Sequence, residues 1–291
     1  MLDHILFMGS PDFACPCLKA LIEHYPNSQI SVCTQADKPY GRNKKITPTP
    51  IKTLALSHKI KVYTPKTKQE LSTQVNSLKP DLIIVVAYGF ILEKTITDNF
   101  LCINVHASLL PKYRGATPMQ AALLNNDKQT GITLIKMDDG CDTGPILDQC
   151  THPIHKNDNI QHLHDALSQL GATTLLNYLK KNIETSNIHP KPQENTSTIT
   201  CQKINKADLK LNLEDPPQKN LAKIRAYSPF PGAFILIKNK RFKILKARIT
   251  TNYLDILVIQ PEGKKAMTWQ EACSGYKDLN GLPNIYQKGK K

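Results

Sequence analysis

The uninterrupted apolar run Leu82-Ile83-Ile84-Val85-Val86-Ala87-Tyr88 constrains the fold of this chain more than any other segment. A half-exposed strand would alternate apolar and polar residues, so a run that is apolar on both sides is typical of a strand covered on both faces. Helix-like segments separate this run from other strand-like segments, which lie at Ile5–Met8, Ile30–Thr34, Cys102–His106 and Gly131–Met137. Strands that alternate with helices predict a doubly wound, mostly parallel α/β sheet.

The chain divides into a longer first part and a shorter second part. Its 291 residues are enough for two domains. An amphipathic helix pattern runs from Asn159 to Asn182, and the polar, proline-bearing stretch after it is typical of a linker. Short alternating stretches follow at Ala233–Ile237, Arg241–Leu245 and Leu254–Ile259. We therefore expect an α/β domain at 1–189, a linker at 190–206 and a small basic β-rich domain at 207–291.

The positive charge of the chain is concentrated in its last third. Residues 1–200 carry 20 lysines and arginines against 17 acidic residues, whereas residues 201–291 carry 18 against 7. This asymmetry fits a module that contacts a polyanion, most simply a nucleic acid, although a solvated basic surface would give the same composition. The apolar runs are too short to span a bilayer and the first residues lack the pattern of a signal peptide. We therefore expect a cytoplasmic protein without a membrane partner, and we expect a monomer.

The segment Asn104-Val105-His106 carries the most informative polar side chains. Alternate residues of a strand face the same side, so Asn104 and His106 project together. Beside a carboxylate such as Asp142, an amide can hold a developing oxyanion and an imidazole can move a proton. These groups suit acyl transfer to an amine that the substrate itself brings, although a purely structural hydrogen-bonded pair would show the same spacing. Ser108 lacks the Gly-x-Ser-x-Gly setting of a nucleophile.

Longer motifs around these residues resemble the folate-dependent formyltransferases. The core of the resemblance consists of Asn104-Val105-His106, Ser108-Leu109-Leu110-Pro111, Tyr113-Arg114-Gly115-Ala116, Pro118 and Asp142-Thr143-Gly144. Other stretches resemble the branch that acts on methionyl initiator tRNA, namely Phe7–Ala14, Gln35–Lys45, Pro48, Pro50, Ile51, Lys52 and Gln260–Met267. The resemblance covers nearly the whole chain.

The resemblance implies a Rossmann-like catalytic domain that transfers the formyl group of 10-formyltetrahydrofolate to the α-amino group of methionyl initiator tRNA. It implies that Asn104, His106 and Asp142 are catalytic and that the amine attacks the formyl carbon directly. The residues that it assigns to the folate site are Ser108, Leu109, Leu110 and Pro111, together with Val86, Ala87, Tyr88 and Gly89 at a strand end. The residues that it assigns to tRNA contacts are Arg42, Lys44 and Lys45. A solvated charged loop is the alternative for these three.

The second domain departs from the resembled pattern. Lys246–Ile249 resembles the end of one barrel strand, yet Leu254–Leu257 follows after only four residues, where the family usually has further strands. The β-barrel-like domain that the resemblance implies is therefore expected to be abbreviated.

Two other functions stay open at this stage. One is a different enzyme that uses 10-formyltetrahydrofolate on the same core, such as a hydrolase or a sugar or ribonucleotide formyltransferase. The other is a non-catalytic RNA-binding protein that has kept the fold. No metal is expected, because His162, His164 and Asp165 lack a full ligand set. No nicotinamide cofactor is expected either, because Gly9 is the only glycine of the first strand–helix turn.

Overall fold

The computed structural model describes residues 2–41, 44–194, 198–250, 253–282 and 285. Two compact units are present, and each is built from several segments. Unit 1 comprises Met1–Gly115, Thr130–His152 and Asp165–Thr200. Unit 2 comprises Ala116–Gln129, Pro153–His164 and Cys201–Lys291, so it includes two short segments that lie within the expected first domain. The domain boundaries expected at 189 and 206 stay predictions.

Helices and strands alternate along most of the chain. The first strands are β1 (His4–Gly9), β2 (Gln29–Cys33), β3 (Lys38–Tyr40), β4 (Lys45–Thr47), β5 (Lys61–Tyr63), β6 (Leu82–Val86), β7 (Cys102–His106), β8 (Lys112–Gly115), β9 (Gln129–Lys136) and β10 (Ile146–Pro153). The helices among them are α1 (Cys15–His24), α2 (Pro50–Ser57), α3 (Lys68–Leu78), α4 (Lys94–Asn99), α5 (Pro118–Leu124) and α6 (Ile160–Tyr178), which a π-helical turn at Leu179–Ile183 continues. The later elements are β11 (Ile199–Cys201), α7 (Pro217–Tyr227), β12 (Phe234–Ile237), β13 (Lys240–Thr250), β14 (Tyr253–Pro261), β15 (Met267–Thr268) and α8 (Trp269–Gly275).

Unit 1 is organised around a seven-stranded sheet in the order β10-β9-β7-β6-β1-β2-β5. The pairs β1–β2, β1–β6, β2–β5 and β6–β7 are parallel. Every residue of β6 is buried, as expected for a central strand that is covered on both faces. These findings confirm the doubly wound, mostly parallel sheet.

β9 runs antiparallel to β7, and this orientation was not predicted. Its register places Thr133 opposite His106 and Lys136 opposite Ile103, so β9 begins at the end of the sheet where β7 finishes. The loop that follows β9 therefore starts beside the first residue of β7, where the backbone N–H of Met137 donates to the backbone oxygen of Cys102 at 2.9 Å.

Local sequence signals explain where the helices begin. Thr49 caps α2 by accepting a hydrogen bond from the backbone N–H of Lys52 at 3.1 Å, and Pro50 occupies the first helical turn. In α6 the predicted apolar stripe is buried at Leu163, Leu167 and Leu175. The helix is thus amphipathic in the predicted sense.

The described strands of unit 2 form an antiparallel sheet in the order β12-β13-β14-β15. Its buried side alternates along β13 through Phe242 and Ile244, which belong to the hydrophobic core of this unit. The small second β domain is therefore confirmed. Over the described ranges the sheet order is open, in keeping with an abbreviated barrel.

None of the helices in the described ranges is both long and apolar enough to cross a membrane.

Candidate active site

The candidate site of unit 1 lies where strand β7 ends. Asn104 and His106 are both almost fully buried, and both belong to this strand. Because β6 and β7 are parallel neighbours, the segment after β6 leaves the sheet at the same edge. Ligand sites of open α/β sheets lie beyond the carboxyl ends of the strands. The topology therefore gathers the predicted residues of both strands at one edge.

Asp142 reaches the two β7 side chains from the loop after β9. Its Oδ1 accepts a hydrogen bond from Asn104 Nδ2 at 3.1 Å, and its Oδ2 lies 3.5 Å from His106 Nδ1. The backbone N–H of Gly115 also donates to Oδ2, at 2.9 Å. The three residues predicted as catalytic thus form one contiguous cluster around a carboxylate that is mostly buried.

The imidazole of His106 lies between two acceptors. Its Nε2 is 2.9 Å from the backbone oxygen of Tyr113, and a carbonyl only accepts, so Nε2 carries a hydrogen. Its Nδ1 faces the Asp142 carboxylate. A ring protonated on both nitrogens would donate to both neighbours, which suits a group that takes up a proton during a reaction.

This arrangement has the donors that stabilise a tetrahedral oxyanion. The Asn104 amide has two hydrogens and gives one to Asp142, so Nδ2 retains a second donor. Asp142 fixes both the orientation of that amide and the direction in which the ring of His106 points. Preorganised donors of this kind stabilise charge that develops on a substrate oxygen.

The predicted folate loop Ser108–Pro111 is held from behind by Thr133. The Thr133 hydroxyl donates to the backbone oxygen of Ser108 at 2.6 Å and accepts from the backbone N–H of Leu110 at 3.1 Å. Gln149 Nε2 bonds the same hydroxyl at 3.0 Å and the backbone oxygen of Leu110 at 2.8 Å. The side chains of Ser108 and Leu110 are buried, whereas Leu109 and Pro111 are half-buried. The buried Thr133 hydroxyl is therefore one of the groups that hold the backbone of this loop.

The substitution Thr133→Val removes this hydroxyl with little change in shape. It should leave the buried N–H of Leu110 without its partner and lower the free energy of unfolding of unit 1 by about 2 kcal/mol. Chemical denaturation followed by circular dichroism measures the change. Thr173→Val, at an exposed position of α6, is the matched control and should be near neutral. Equal midpoints for the two variants would contradict the proposed role of Thr133.

The other predicted folate residues follow β6, and they differ in exposure. Val86 is fully buried, whereas Ala87 and Gly89 are exposed. The hydroxyl of Tyr88 is buried and has no hydrogen-bond partner among the described residues. Burial, and to a lesser extent the nearby Cys33, raise the pKa of this phenol well above its usual range, so it stays a neutral donor.

Gly89 brings this segment against Gln35. A Cβ atom on Gly89 would lie 1.6 Å from Gln35 Nε2, so a larger residue at this position would require the end of the Gln35 side chain to move. Gln35 Oε1 in turn accepts a hydrogen bond from Lys38 Nζ at 2.9 Å. The predicted folate segment therefore adjoins the base of the predicted tRNA loop.

The described residues of the predicted tRNA loop include two short strands of a hairpin. Its strands β3 and β4 pair antiparallel, and an ion pair of 2.8 Å between Lys52 and Asp37 lies close to its base. Lys44 and Lys45 are exposed. Arg42, the third residue predicted to contact tRNA, lies outside the described residues.

Two residues contribute to the site in roles that the sequence analysis did not predict. Gly115 supplies a backbone donor to Asp142, and Gln193 bonds the loop that carries Asp142. Gln193 lies in the stretch expected to be a linker, although the neighbouring Lys191 pairs with Ile146 of β10. The resemblance already included Gly115, but no pattern in the sequence distinguished Gln193 from its polar neighbours.

Within the described ranges, no three His, Cys, Asp or Glu side chains come together in a way that could hold a metal ion.

Comparison with known proteins places this geometry in a family. A family model described as formyl transferase matches residues 4–179, and a model of the formyl transferase C-terminal domain matches residues 203–254. The methionyl-tRNA formyltransferase of Thermodesulfovibrio yellowstonii is 39% identical, and the match covers 98% of this chain and 100% of that protein. The methionyl-tRNA formyltransferase of Halorhodospira halophila is 40% identical, with 85% of this chain and 80% of that protein covered.

A solved structure extends the likeness to the fold. The N-formyltransferase from Helicobacter canadensis, in complex with folinic acid and dTDP-3-aminofucose, matches with a TM-score of 0.65 and 22% identity. The match covers 92% of this chain and 99% of that one. Together, the matched family models and the two relatives assign the chain. It belongs to the formyl transferase family, among the methionyl-tRNA formyltransferases.

Proposed function

We propose that this chain transfers the formyl group of 10-formyltetrahydrofolate to the α-amino group of methionyl initiator tRNA. The observation that carries the proposal is the cluster in which Asn104 and His106 contact Asp142 at the end of β7. The two relatives described above are named methionyl-tRNA formyltransferases, which supports the choice of a methionyl-tRNA substrate.

In the proposed reaction, the neutral amine of the methionyl group attacks the formyl carbon and a C–N bond forms. The formyl oxygen becomes an oxyanion, to which Asn104 Nδ2 offers the N–H that is not bonded to Asp142, and the positive charge of protonated His106 stabilises it from nearby. Asp142 holds both groups in this orientation and stabilises the charge on the ring. No residue of the chain forms a bond to the formyl group.

The second half of the reaction returns the oxyanion to a carbonyl. The bond between the formyl carbon and N10 of the folate breaks, and the attacking nitrogen loses a proton while N10 gains one. His106 is the imidazole of the cluster and would assist this proton transfer, and the neighbouring Asp142 carboxylate would stabilise its protonated form. The products are a formamide and tetrahydrofolate, so atoms and charge balance.

We propose that the folate lies against the loop Ser108–Pro111 and the segment Val86–Gly89. Several of these side chains are buried, so recognition would depend mainly on the backbone groups and on the half-buried Leu109 and Pro111. Folinic acid in the complex of the Helicobacter canadensis relative supports a folate ligand for this fold. In the proposed division into a catalytic part, a linker and a basic second part, the folate would bind to the catalytic part.

The decisive experiment is formylation of methionyl initiator tRNA by the full chain with 10-formyltetrahydrofolate. Uncharged tRNA and free methionine are the controls. Product formed only with the charged tRNA would support the proposal. Consumption of the formyl folate without transfer would indicate a hydrolase or another amine acceptor and would overturn it.

The exposed hairpin lysines give a separate prediction about the tRNA. Replacing both Lys44 and Lys45 by alanine should raise the KM for charged tRNA several-fold while the KM for the folate stays the same. Each phosphate contact that is lost should also reduce the slope of log KM against log salt by about one. Steady-state rates over a range of salt concentrations measure both effects. Lys68→Ala, an exposed lysine of α3, is the control, and an equal effect in the control would assign the hairpin to an ordinary solvated surface.

A further inference from the structure

We propose that Gln193 is a positioning residue of the active site, which fixes the Asp142 carboxylate against Gly115 and His106. The expected effect on the rate rests on the proposed function. The contacts of Gln193 themselves do not depend on the substrate. Gln193 touches neither the carboxylate nor any group assigned to the substrates.

All hydrogen-bonding groups of the Gln193 amide are used within unit 1. Nε2 donates to the backbone oxygens of Asp142 at 2.8 Å and Gly144 at 2.7 Å. Oε1 accepts from Arg114 Nε at 2.9 Å. A primary amide has two donor hydrogens, so these contacts engage both hydrogens and the oxygen.

The backbone at Asp142 needs such support because its conformation is strained. Asp142 has a φ of 55°, in the left-handed region that costs a non-glycine residue about 1–2 kcal/mol. This turn directs the oxygens of residues 142 and 144 toward one point, and the Gln193 amide occupies that point. Its two bonds stabilise the turn in the conformation that presents the carboxylate.

The side chain of Asp138 also stabilises this loop, from within the loop itself. Asp138 Oδ1 accepts from the backbone N–H of Gly140 at 3.1 Å and from the Thr143 hydroxyl at 2.7 Å. A Cβ atom on Gly144 would lie 1.9 Å from the backbone oxygen of Lys136, so the loop closes tightly on β9. Asp138 shapes the loop, whereas Gln193 connects it to another part of the chain.

Gln193 connects the loop to the segment of Arg114 and Gly115, which donates a hydrogen bond to the Asp142 carboxylate. Arg114 directly precedes Gly115, whose backbone N–H bonds Asp142 Oδ2 at 2.9 Å. Gln193 therefore links both backbone segments that meet at the carboxylate. One amide sets the separation between the donor, Gly115, and the acceptor, Asp142.

Two substitutions test this role. Gln193→Glu can still accept from Arg114 but opposes the oxygens of residues 142 and 144 with a negative charge. Gln193→Met has a similar length and lacks all three contacts, so it serves if the first variant does not fold. Glu194→Gln, at the exposed neighbouring position, is the matched control.

The first readout does not depend on activity. Hydrogen exchange of the Gly115 amide, followed by NMR on the full chain, reports whether Asp142 is still in place. We expect exchange at least about tenfold faster in the Gln193 variants, with core amides of β6 unchanged. In formylation assays kcat should fall about tenfold to a hundredfold, with the KM for the folate within about twofold, since misplacement by about 1 Å can have such an effect.

The possible outcomes distinguish the role of Gln193 from the proposed function of the chain. Faster exchange together with a lower kcat supports the inference. Unchanged exchange of the Gly115 amide overturns it, whatever happens to the rate, and so does faster exchange with an unchanged kcat. If the wild-type chain formylates no charged tRNA, the proposed function fails, while the exchange measurement still decides whether Gln193 positions Asp142.

Discussion

Replacing Asp142 by alanine is expected to lower kcat for formyl transfer by about a thousandfold or more. The carboxylate accepts from Asn104 and Gly115 and faces His106, so its loss affects the oxyanion donor and the proton-transfer group together. Without it, the amide of Asn104 can turn away from the substrate and the protonated ring loses its counter-ion.

The isosteric change Asp142→Asn tests charge apart from shape. Its amide has one acceptor oxygen, whereas both oxygens of the native carboxylate accept hydrogen bonds, so at least one donor would lose its partner. We expect a loss in kcat that is large but smaller than for alanine. Single-turnover formylation of charged tRNA measures it, and circular dichroism verifies the fold.

Asp139 offers a matched control because it is an exposed carboxylate of the same loop. Asp139→Asn should keep the rate within about twofold, as surface substitutions usually do. A near-normal rate in Asp142→Ala would contradict the proposed centre, because the amide and the imidazole would then act without it.

Local patterns in the sequence predicted the sheet and the two site residues of β7. A run that is apolar at every position has few solutions other than a covered strand, and β6 is buried throughout. Alternation along β7 was enough to place Asn104 and His106 on one face. Asp142 was predicted as their carboxylate partner, and the resemblance assigned it to the same catalytic group, but no local pattern fixed its contacts with these two residues.

The contributions that escaped prediction are contacts between polar residues far apart in the chain. Gln193 is separated from Asp142 by 51 residues, and glutamines in polar loops are usually solvated. The sequence does not predict the positive φ of Asp142, because the residue is not a glycine. In unit 2, the alternating pattern ends at Leu245 and only the resemblance placed Lys246–Ile249 in a strand, whereas β13 runs without a break to Thr250. A register shift between Ile244 and Lys246 interrupts the period of two, so the alternating pattern breaks although the strand does not.

His106→Ala is expected to lower kcat by about a hundredfold to ten-thousandfold, the range typical of a general acid–base group. The ring lies between the Tyr113 oxygen and the Asp142 carboxylate, so its removal also leaves both acceptors without their partner. A loss of stability could therefore imitate a loss of catalysis. His106→Gln separates the two effects, because its amide can still donate to one acceptor but cannot carry a proton between substrate atoms. If the imidazole acts chemically, both variants should be slow, and the glutamine variant should recover stability without recovering rate.

His58→Ala, at an exposed position beyond α2, should match the wild type in both measurements. A glutamine variant with a near-normal rate would leave Asn104 as the main donor to the oxyanion and would reduce His106 to a structural role.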